Sequence, residues 1–323
     1  MSRRRPGALA AGAALLALGL AACTADAADP GGTTENGDRA VTIGALSISE
    51  TAPLWAAVEA GVFTEHGLDV TIQPIQGGAQ AMPALVNGDV DLMIGQPFGA
   101  LRATEQGLPV AIVAGYAESY PDGDDINAVV TGAGSSITRP ADLAGAKVAV
   151  NSLGAAGDLT IQAAVEQDGG DPAAIEFVEV AFPDAGAQLE AGNIDAAWVP
   201  EPFVSMITGA GGTTVLYPYQ AVIPGLPTLV VQTTTQTVEQ DPDLVADTRA
   251  ALADAFTWAE ENDDAVRQAL VDNLEIPAEA AANLPLPHFT TTVDATTIQA
   301  LADLGVQYEY FQEAPDVDAI LAE

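Results

Sequence analysis

Short apolar runs alternate with longer amphipathic stretches from residue 40 onward. The runs predict strands at 41–46, 68–73, 91–94, 110–114, 147–150, 175–180 and 196–199. Helical spacing of apolar residues predicts helices at 53–61, 79–86, 97–106, 156–168, 185–191 and 201–208. The second of these ends at Asn87-Gly88, which suits a left-handed cap. Strands that alternate with helices predict an α/β fold with mostly parallel sheets.

This alternation occurs twice and then gives way to helices alone, over 242–260, 264–274 and 294–308. We expect two lobes, each a mostly parallel sheet flanked by helices, with the C-terminal helices packed back on the first lobe. Two hinge crossovers are predicted near residues 128–130 and 229–232. Lobe 1 would then comprise residues 40–129 and 231–323, and lobe 2 would comprise residues 130–230. Two crossings between two lobes predict a cleft.

The N-terminal segment has the pattern of a targeting signal. Three arginines at 3–5 precede an apolar run over 8–20, which is too short for a permanent membrane span and predicts a cleaved signal peptide over 1–22. Leu-Ala-Ala-Cys at 20–23 resembles a lipobox, and Cys23 is the only cysteine of the chain. We therefore expect a lipid on Cys23, a flexible tether through residue 39, and an extracytoplasmic protein anchored to the cell membrane. The alternative is an ordinary secretory signal with a chance cysteine.

The charge balance excludes some partners. The chain has 9 Lys and Arg against 45 Asp and Glu, and a formal net charge of −36. Such a surface repels nucleic acid and anionic lipid headgroups, so neither is expected as a partner, and membrane contact is expected through the N-terminal lipid only. Hydrophobic residues make up 49% of the chain, which is ample for buried cores.

The chain offers no convincing catalytic, metal or cofactor site. His66 and His288 are far apart, and zinc-protease, Cys-x-x-Cys and nucleophile-elbow motifs are all missing. Asp-Gly-Asp-Asp at 122–125 lacks EF-hand spacing and predicts an exposed acidic loop. Loops with Gly or Ser follow predicted strands at 47–51, 76–78, 95–98 and 151–154. Ligands bind at such strand ends in open α/β sheets, helped by helix N-termini.

Several segments, in order, resemble motifs of substrate-binding proteins of ABC importers. They are AAVEAGVF (56–63) followed by GLDV (67–70), ALVNGDVD (84–91), ADLAGAKVAV (141–150), and QLEAGNIDAAW (188–198) followed by EPF (201–203). The pattern is similar to the SsuA/THI5-like family, which includes nitrate, sulfonate or taurine, and thiamine-pyrimidine binders. The resemblance implies a type II periplasmic-binding-protein-like fold. It also implies a protein that closes on a small solute and docks on a permease driven by a cytoplasmic ATPase.

The resemblance also implies a set of ligand-binding residues from both lobes. They are Ser49, Glu50, Thr51, Gln76, Gln96, Pro97, Ser152, Leu153, Gly154, Phe182, Trp198 and Glu201. Two of these have a second interpretation. Trp198 either stacks on a flat ligand or is a core aromatic of the second sheet. Glu201 either contacts the ligand or caps its own helix.

The basic residues bear on the ligand's charge. Six lie after the predicted signal peptide, and all fall outside the predicted cleft loops: Arg39, Arg102, Arg139, Lys147, Arg249 and Arg267. A tightly held nitrate or sulfonate often needs a nearby Arg or Lys. We therefore expect a neutral, zwitterionic or cationic solute, such as a heterocyclic vitamin precursor, with Glu50 as a partner for a cation. An anion held by helix N-termini alone stays an alternative.

Two other functions share this pattern. A pyrimidine-biosynthesis-like enzyme would need reactive His and Cys side chains, which the chain does not place together. A lipoprotein that presents its ligand to a receptor kinase, instead of a permease, is equally compatible with the residues. We expect a binding protein and not an enzyme.

Overall fold

The computed structural model describes residues 37–75 and 77–322. Strands in this part are β1 (Arg39–Leu46), β2 (Leu68–Ile75), β3 (Leu92–Gly95), β4 (Val110–Glu118), β5 (Asn127–Thr131), β6 (Lys147–Val150), β7 (Glu176–Glu179), β8 (Ala196–Pro200), β9 (Thr213–Leu216), β10 (Pro227–Thr234) and β11 (His288–Phe289). The predicted signal peptide, Cys23 and the tether up to residue 36 lie outside the described residues. The tether predicted through residue 39 overlaps the first residue of β1, Arg39.

The α-helices are α1 (Ala52–Glu59), α2 (Val62–Glu65), α3 (Gly78–Asn87), α4 (Pro97–Glu105), α5 (Ala156–Gln167), α6 (Phe182–Glu190), α7 (Phe203–Gly209), α8 (Pro218–Val222), α9 (Thr235–Gln240), α10 (Pro242–Glu261), α11 (Asp263–Leu274), α12 (Ala278–Ala281), α13 (Ala295–Gln307) and α14 (Val317–Ile320). Short 3₁₀ helices occupy Ser49–Thr51, Pro140–Leu143 and Pro172–Ala174. Gly88 closes α3 with a φ of 78°, as its sequence predicts.

The described strands form two mixed sheets. One is six-stranded, in the order β11-β4-β10-β3-β1-β2, and the other is five-stranded, in the order β7-β6-β8-β5-β9. We call each sheet with its helices lobe 1 and lobe 2, respectively. Within each sheet most strands run in one direction, which confirms the predicted α/β fold. Each sheet has one reverse strand in its interior: β10 pairs antiparallel with β3 and β4, and β5 pairs antiparallel with β8 and β9. In the six-stranded sheet the short edge strand β11 also pairs antiparallel with β4.

The chain crosses between the sheets twice. It leaves lobe 1 between Glu118 and Asn127 and returns between Leu216 and Pro227, and each crossing leads toward the reverse strand of the sheet it enters. The predicted crossovers at 128–130 and 229–232, and the predicted lobe limits at 129/130 and 230/231, fall inside β5 and β10. The crossings therefore lie a few residues earlier than the hydrophobic pattern suggests. That each lobe moves as a unit stays a prediction.

The C-terminal helices pack mainly on lobe 1. The apolar face of α10 is buried, with Leu244, Val245, Leu252 and Phe256 each at most 7% exposed. Phe256 stacks on Phe289 at a centroid distance of 5.3 Å. Each such side chain contributes roughly 1.5–3 kcal/mol of transfer free energy when fully buried, so α10 is an integral part of the core. Along the described chain, no helix combines the length and apolarity that crossing a membrane requires.

Candidate binding site between the two sheets

A cavity of about 510 Å³ lies between the lobes. It forms where the carboxyl ends of β1, β3, β6 and β8 approach the first residues of the reverse strands β5 and β10. Open α/β sheets bind ligands at this edge, and cavities of 300–1,000 Å³ are typical of small-molecule sites. The topology therefore brings the loops of both sheets to one place.

Glu50 is the buried carboxyl of this cavity. It is 2% exposed and lies in the 3₁₀ turn after β1. Thr228 Oγ1, at the start of β10, donates a hydrogen bond to Glu50 Oε1 at 2.6 Å. Burial raises the pKa of Glu50 to about 7, the Thr228 hydrogen bond opposes this rise, and the charge of Asp125 adds to it. No basic side chain of the described residues forms an ion pair with Glu50, so a ligand cation or hydrogen-bond donor would stabilise its charge.

Asp125 corrects the prediction of an exposed acidic loop. Asp122 and Asp124 are exposed, but Asp125 is 3% exposed. Its carboxylate accepts hydrogen bonds from the backbone N–H groups of Ile126, at 2.9 Å, and Tyr120, at 3.2 Å, and from the Ser119 hydroxyl. Burial raises the pKa of Asp125. The segment thus turns one carboxylate inward to satisfy the backbone of the first crossing.

Aromatic side chains form the lobe 2 wall. Trp198 lies in β8, is 2% exposed, and packs against Phe182 and Tyr219, each at a centroid distance of 5.6 Å. Its Nε1 makes no hydrogen bond among the described residues. Trp198 therefore fits both interpretations, since it packs within lobe 2 and also lines the cavity. Gln96 Nε2 donates to Tyr219 Oη at 2.6 Å and so links the two walls.

The loop between β6 and α5 forms the rest of the lobe 2 wall. Asp158, in the first turn of α5, accepts hydrogen bonds from Gly154 N, at 2.7 Å, and Ala155 N, at 2.8 Å. Gly154 has a φ of 71°, a conformation that glycine adopts without strain. Asp158 is 4% exposed, and burial raises its pKa. One buried carboxylate thus determines the shape of the loop.

The structure brings together most of the predicted binding residues. Those that line the cavity are Glu50, Gln96, Ser152, Leu153, Gly154, Phe182 and Trp198. Ser49, Thr51, Pro97 and Glu201 do not line it, and Gln76 lies outside the described residues. The assignment of each residue to a ligand stays a prediction.

The residues that miss the cavity have structural contacts. Thr51 Oγ1 donates to the carbonyls of Leu46, at 2.7 Å, and Ile48, at 2.8 Å, which closes the turn around Glu50. Ser49 N donates to the Glu201 carbonyl across the lobes at 3.1 Å. Pro97 occupies the first turn of α4, where its missing N–H costs nothing.

Glu201 caps its own helix. Its carboxylate accepts hydrogen bonds from Ser205 N, at 3.0 Å, and Ser205 Oγ, at 2.9 Å, in the first turns of α7. It is 3% exposed, and burial raises its pKa. The geometry matches the capping interpretation of this residue.

Sequence reasoning did not assign six polar residues that line the cavity: Asn87, Arg102, Gln106, Asn127, Asn151 and Thr228. Asn127 and Thr228 begin the reverse strands, whose direction an apolar run does not reveal. Asn151 lies in a predicted binding loop. Arg102 lies outside the predicted cleft loops, yet it lines the cavity from the helix α4. Its NH1 donates to the Tyr310 carbonyl at 3.1 Å.

The histidines lie elsewhere. His66 Nε2 lies 2.8 Å from Asp254 Oδ2, and His288 Nδ1 lies 2.6 Å from Glu118 Oε1. Neither lines the cavity. Within residues 37–75 and 77–322, no group of three or more His, Cys, Asp or Glu side chains is placed to hold a metal ion.

Two mixed α/β sheets, joined by two crossings around a cleft, define the periplasmic-binding-protein-like class. The sequence pattern of the NMT1/THI5-like family matches residues 48–266. The chain belongs to this family.

Known proteins resemble this chain in sequence or in fold. The formylaminopyrimidine-binding protein of Halalkalibacterium halodurans is 25% identical over 236 residues, which cover 72% of this chain and 68% of that protein. The alkanesulfonate-binding protein SsuA of Xanthomonas axonopodis pv. citri, solved bound to MOPS, superposes with a TM-score of 0.76 at 18% identity, over 88% of this chain and 98% of that one. The desulfurization enzyme DSZB superposes with a TM-score of 0.63 at 16% identity, over 87% and 96%. The fold therefore occurs in both binding proteins and an enzyme.

Proposed function

We propose that the chain is an extracytoplasmic solute-binding protein, which captures a small molecule between its lobes and delivers it to an ABC importer. The observation that carries this proposal is the cavity at the strand ends of both sheets, with the buried Glu50 in its wall. Family membership and the binding-protein relatives support it.

The proposed mechanism is closure of the two lobes on the ligand. A solute that contacts Glu50 on lobe 1 and Trp198 on lobe 2 interacts fully only when both walls meet. Such a ligand shifts the population of open and closed forms by its differential affinity for them. The two crossings between the sheets are short and can act as the hinge.

We propose a neutral, zwitterionic or cationic nitrogen heterocycle as the ligand class. Glu50 supplies a carboxyl with a pKa raised to about 7. This carboxyl can accept a hydrogen bond from a cationic group or share a proton with a ring nitrogen. Trp198 supplies an aromatic surface and a donor at Nε1. The relative that binds formylaminopyrimidine supports this class. The Arg102 guanidinium can pair with an anionic group on the same ligand, so the net charge of the ligand alone does not define its class.

Isothermal titration of the purified chain tests both the function and the ligand class. The compounds are an N-formyl aminopyrimidine, MOPS as a sulfonate, and nitrate. We expect saturable binding of the pyrimidine at least tenfold tighter than the other two. Tighter binding of MOPS or nitrate would keep a solute receptor and reject the ligand class. Turnover of the pyrimidine, followed by mass spectrometry, would instead favour an enzyme.

We also propose the lipid anchor and the delivery partners that the N-terminal sequence suggests. Cys23 would carry the lipid, residues 24–38 would act as a tether, and a permease with its ATPase would receive the solute. Substituting Cys23→Ser should move the protein from the membrane fraction to the soluble fraction, and intact-mass measurement should show the loss of the acyl chains. Membrane association of the variant would reject lipidation at Cys23.

A receptor kinase is the alternative partner. Cells that express the chain with its neighbouring transport genes should accumulate labelled ligand, and loss of the chain should abolish uptake. Unchanged uptake together with a lost transcriptional response would favour the sensor.

A further inference from the structure

The cavity extends from the cleft into a space between α3 and α4. Along α4 and at its C-cap, residues 99, 102, 103 and 106 line it with the i, i+3, i+4, i+7 spacing of one helix face, and the adjacent Phe98 lines the same cavity. Those of α3, at 82, 83, 86 and 87, form the facing stripe. We call this space the α3–α4 channel and define it by Met82, Val86, Met93, Gly99, Arg102 and Leu108.

The channel is open because the facing residues are small or flexible. A methyl group placed on Gly99 would lie 3.9 Å from Met82 Cε. Apart from its chain neighbours and its own helix backbone, no other heavy atom of the described residues would lie within 4 Å of it. Pro83 lies inside α3 and cannot donate the helical hydrogen bond of its position. Met82 and Met93 are buried, at 7% and 1% exposure, and unbranched thioether chains adapt to varied shapes.

The lining of the channel differs chemically from that of the cleft. The cleft presents the carboxyl of Glu50 and the indole N–H of Trp198, whereas Met82, Val86, Met93 and Leu108 present apolar atoms. The guanidinium of Arg102 is held by the Tyr310 carbonyl. An unfilled apolar space next to a binding cleft forfeits van der Waals contacts that a ligand could restore. The site therefore has a polar part at Glu50 and a largely apolar part in the channel, whose polar lining residues are Asn87, Arg102 and Gln106.

We infer that the natural ligand has an unbranched apolar arm, which enters the α3–α4 channel while the polar head lies at Glu50. The inference rests on the proposed function. Gln96 and Arg102 are six residues apart on or beside α4, and this separation corresponds to about 9 Å along the helix axis. A chain of several carbon atoms fits along that length. A heterocycle with an aliphatic substituent matches both parts of the cavity, whereas a bare ring or a small inorganic anion fills only the polar part.

The test compares two probes, an N-formyl and an N-hexanoyl aminopyrimidine, on the full chain. Each methylene that enters the channel should tighten binding roughly fourfold when fully buried, so we expect the hexanoyl probe to bind at least tenfold more tightly. Labelling the methionine methyl groups with ¹³C gives few NMR signals, from Met1, Met82, Met93 and Met206. The hexanoyl probe should shift Met82 and Met93 more than the formyl probe does. Met206, at 62% exposure on α7, is the internal reference.

Filling the channel should abolish the preference for the longer probe. In Gly99→Leu we expect the affinity ratio of the two probes to fall toward one, and in Gly99→Ala to fall partway, which covers the case in which the larger substitution does not fold. Gly209→Leu is the matched control, because Gly209 also lies in a helix but has open space around it and is exposed. Its ratio should equal that of the parent chain.

The outcomes separate this inference from the proposed function. If the formyl probe binds but the hexanoyl probe gains nothing, or Met82 and Met93 stay unshifted, the apolar arm is rejected and the receptor function stands. If neither pyrimidine binds, the proposed ligand class is rejected. Titration with 1-hexanol then tests the apolar channel independently of the polar head. Shifts of Met82 and Met93 by 1-hexanol, lost in Gly99→Leu, would support the apolar channel, and their absence would reject it.

Discussion

The two walls of the cleft are built differently. On lobe 1, Glu50 and Thr228 are each 2% exposed and hydrogen-bonded to each other. On lobe 2, the loop from Asn151 to Ala155 is only partly buried, and Leu153 is 49% exposed. Lobe 1 therefore presents a preformed polar group, whereas the lobe 2 loop still has surface to bury. We therefore propose that recognition chemistry belongs mainly to lobe 1 and closure mainly to lobe 2.

The difference has a consequence for stability. Glu50 is desolvated without a basic partner, which disfavours its charged form in the absence of ligand. Binding sites commonly hold such groups at a cost to the folded state. Substitutions on the lobe 1 wall should therefore affect ligand affinity and stability in opposite directions, whereas substitutions on the lobe 2 wall should lower both.

The largest expected effect is that of Glu50→Gln on lobe 1. A hydrogen bond to a charged group contributes about 3 kcal/mol at most, so affinity for a cationic pyrimidinium should fall by up to roughly 100-fold. The free energy of unfolding at pH 8 should rise, because the variant no longer buries a charge. Titration calorimetry and denaturant unfolding measure the two quantities.

Glu201→Gln is the matched control, since Glu201 is also buried but caps α7. This variant should lose stability, by about 1 kcal/mol, and should retain affinity. Equal losses of affinity in both variants would contradict the assignment of recognition to Glu50.

The next largest effect is expected from Gly157→Ala on lobe 2. A Cβ at Gly157 would lie 2.9 Å from Trp198 Cε3, so the indole must move out of its position in the cavity wall. We expect roughly tenfold weaker ligand binding and a loss of about 1–3 kcal/mol in stability from overpacking. Binding curves and thermal unfolding provide the measurements.

Gly186→Ala, in α6, is the control for this substitution. Its new Cβ would meet Ile207 Cγ1 at 3.6 Å, an ordinary contact, so the variant should gain about 0.5–1 kcal/mol. Unchanged affinity in Gly157→Ala would show that Trp198 serves the core alone.

Affinity for a permanently cationic pyrimidinium should depend on pH through Glu50. Burial raises the pKa of Glu50 to about 7, so the carboxyl is largely protonated below that value and charged above it. As the pH rises toward 7, binding should strengthen by up to tenfold per pH unit, and above pH 7 it should level off. In Glu50→Gln the dependence should flatten. A profile that is identical in parent and variant would assign the titration to another group, such as Asp125.

The fold could be predicted from the sequence more completely than the site. Alternating strands and helices have strong local periodicity, and loops after parallel strands pointed to Glu50 and to the loop before α5. The reverse strands β5 and β10 could not be oriented from their composition, since an apolar run carries no direction. Thr228 was therefore missed, although it holds Glu50 across 178 residues of chain. Arg102 lies on a helix face, so the pattern of loops after strands does not indicate it.

The smallest expected effect tests whether closure also depends on the C-terminal segment. Tyr310, just after α13, interacts with Asp158, the residue that shapes the lobe 2 loop: burial and this carboxylate raise the pKa of Tyr310, and Tyr310 opposes the rise that burial causes in the pKa of Asp158. Tyr310→Phe removes this link between the lobes but leaves the two backbone donors of Asp158 in place. We expect about threefold weaker ligand binding, since one polar interaction of this kind contributes roughly 0.5–1 kcal/mol net.

Tyr308→Phe is the matched control, because the Tyr308 hydroxyl contacts Glu166, which is exposed and distant in α5 from the loop. Its affinity should change by less than that of Tyr310→Phe, because a bond to an exposed partner contributes little. Stopped-flow fluorescence of the tryptophans should show the Tyr310→Phe loss mainly as faster dissociation. Equal affinities in all three proteins would mean that lobe 2 closes without help from the C-terminal segment, so that the asymmetry of the two walls would rest on the cleft residues alone.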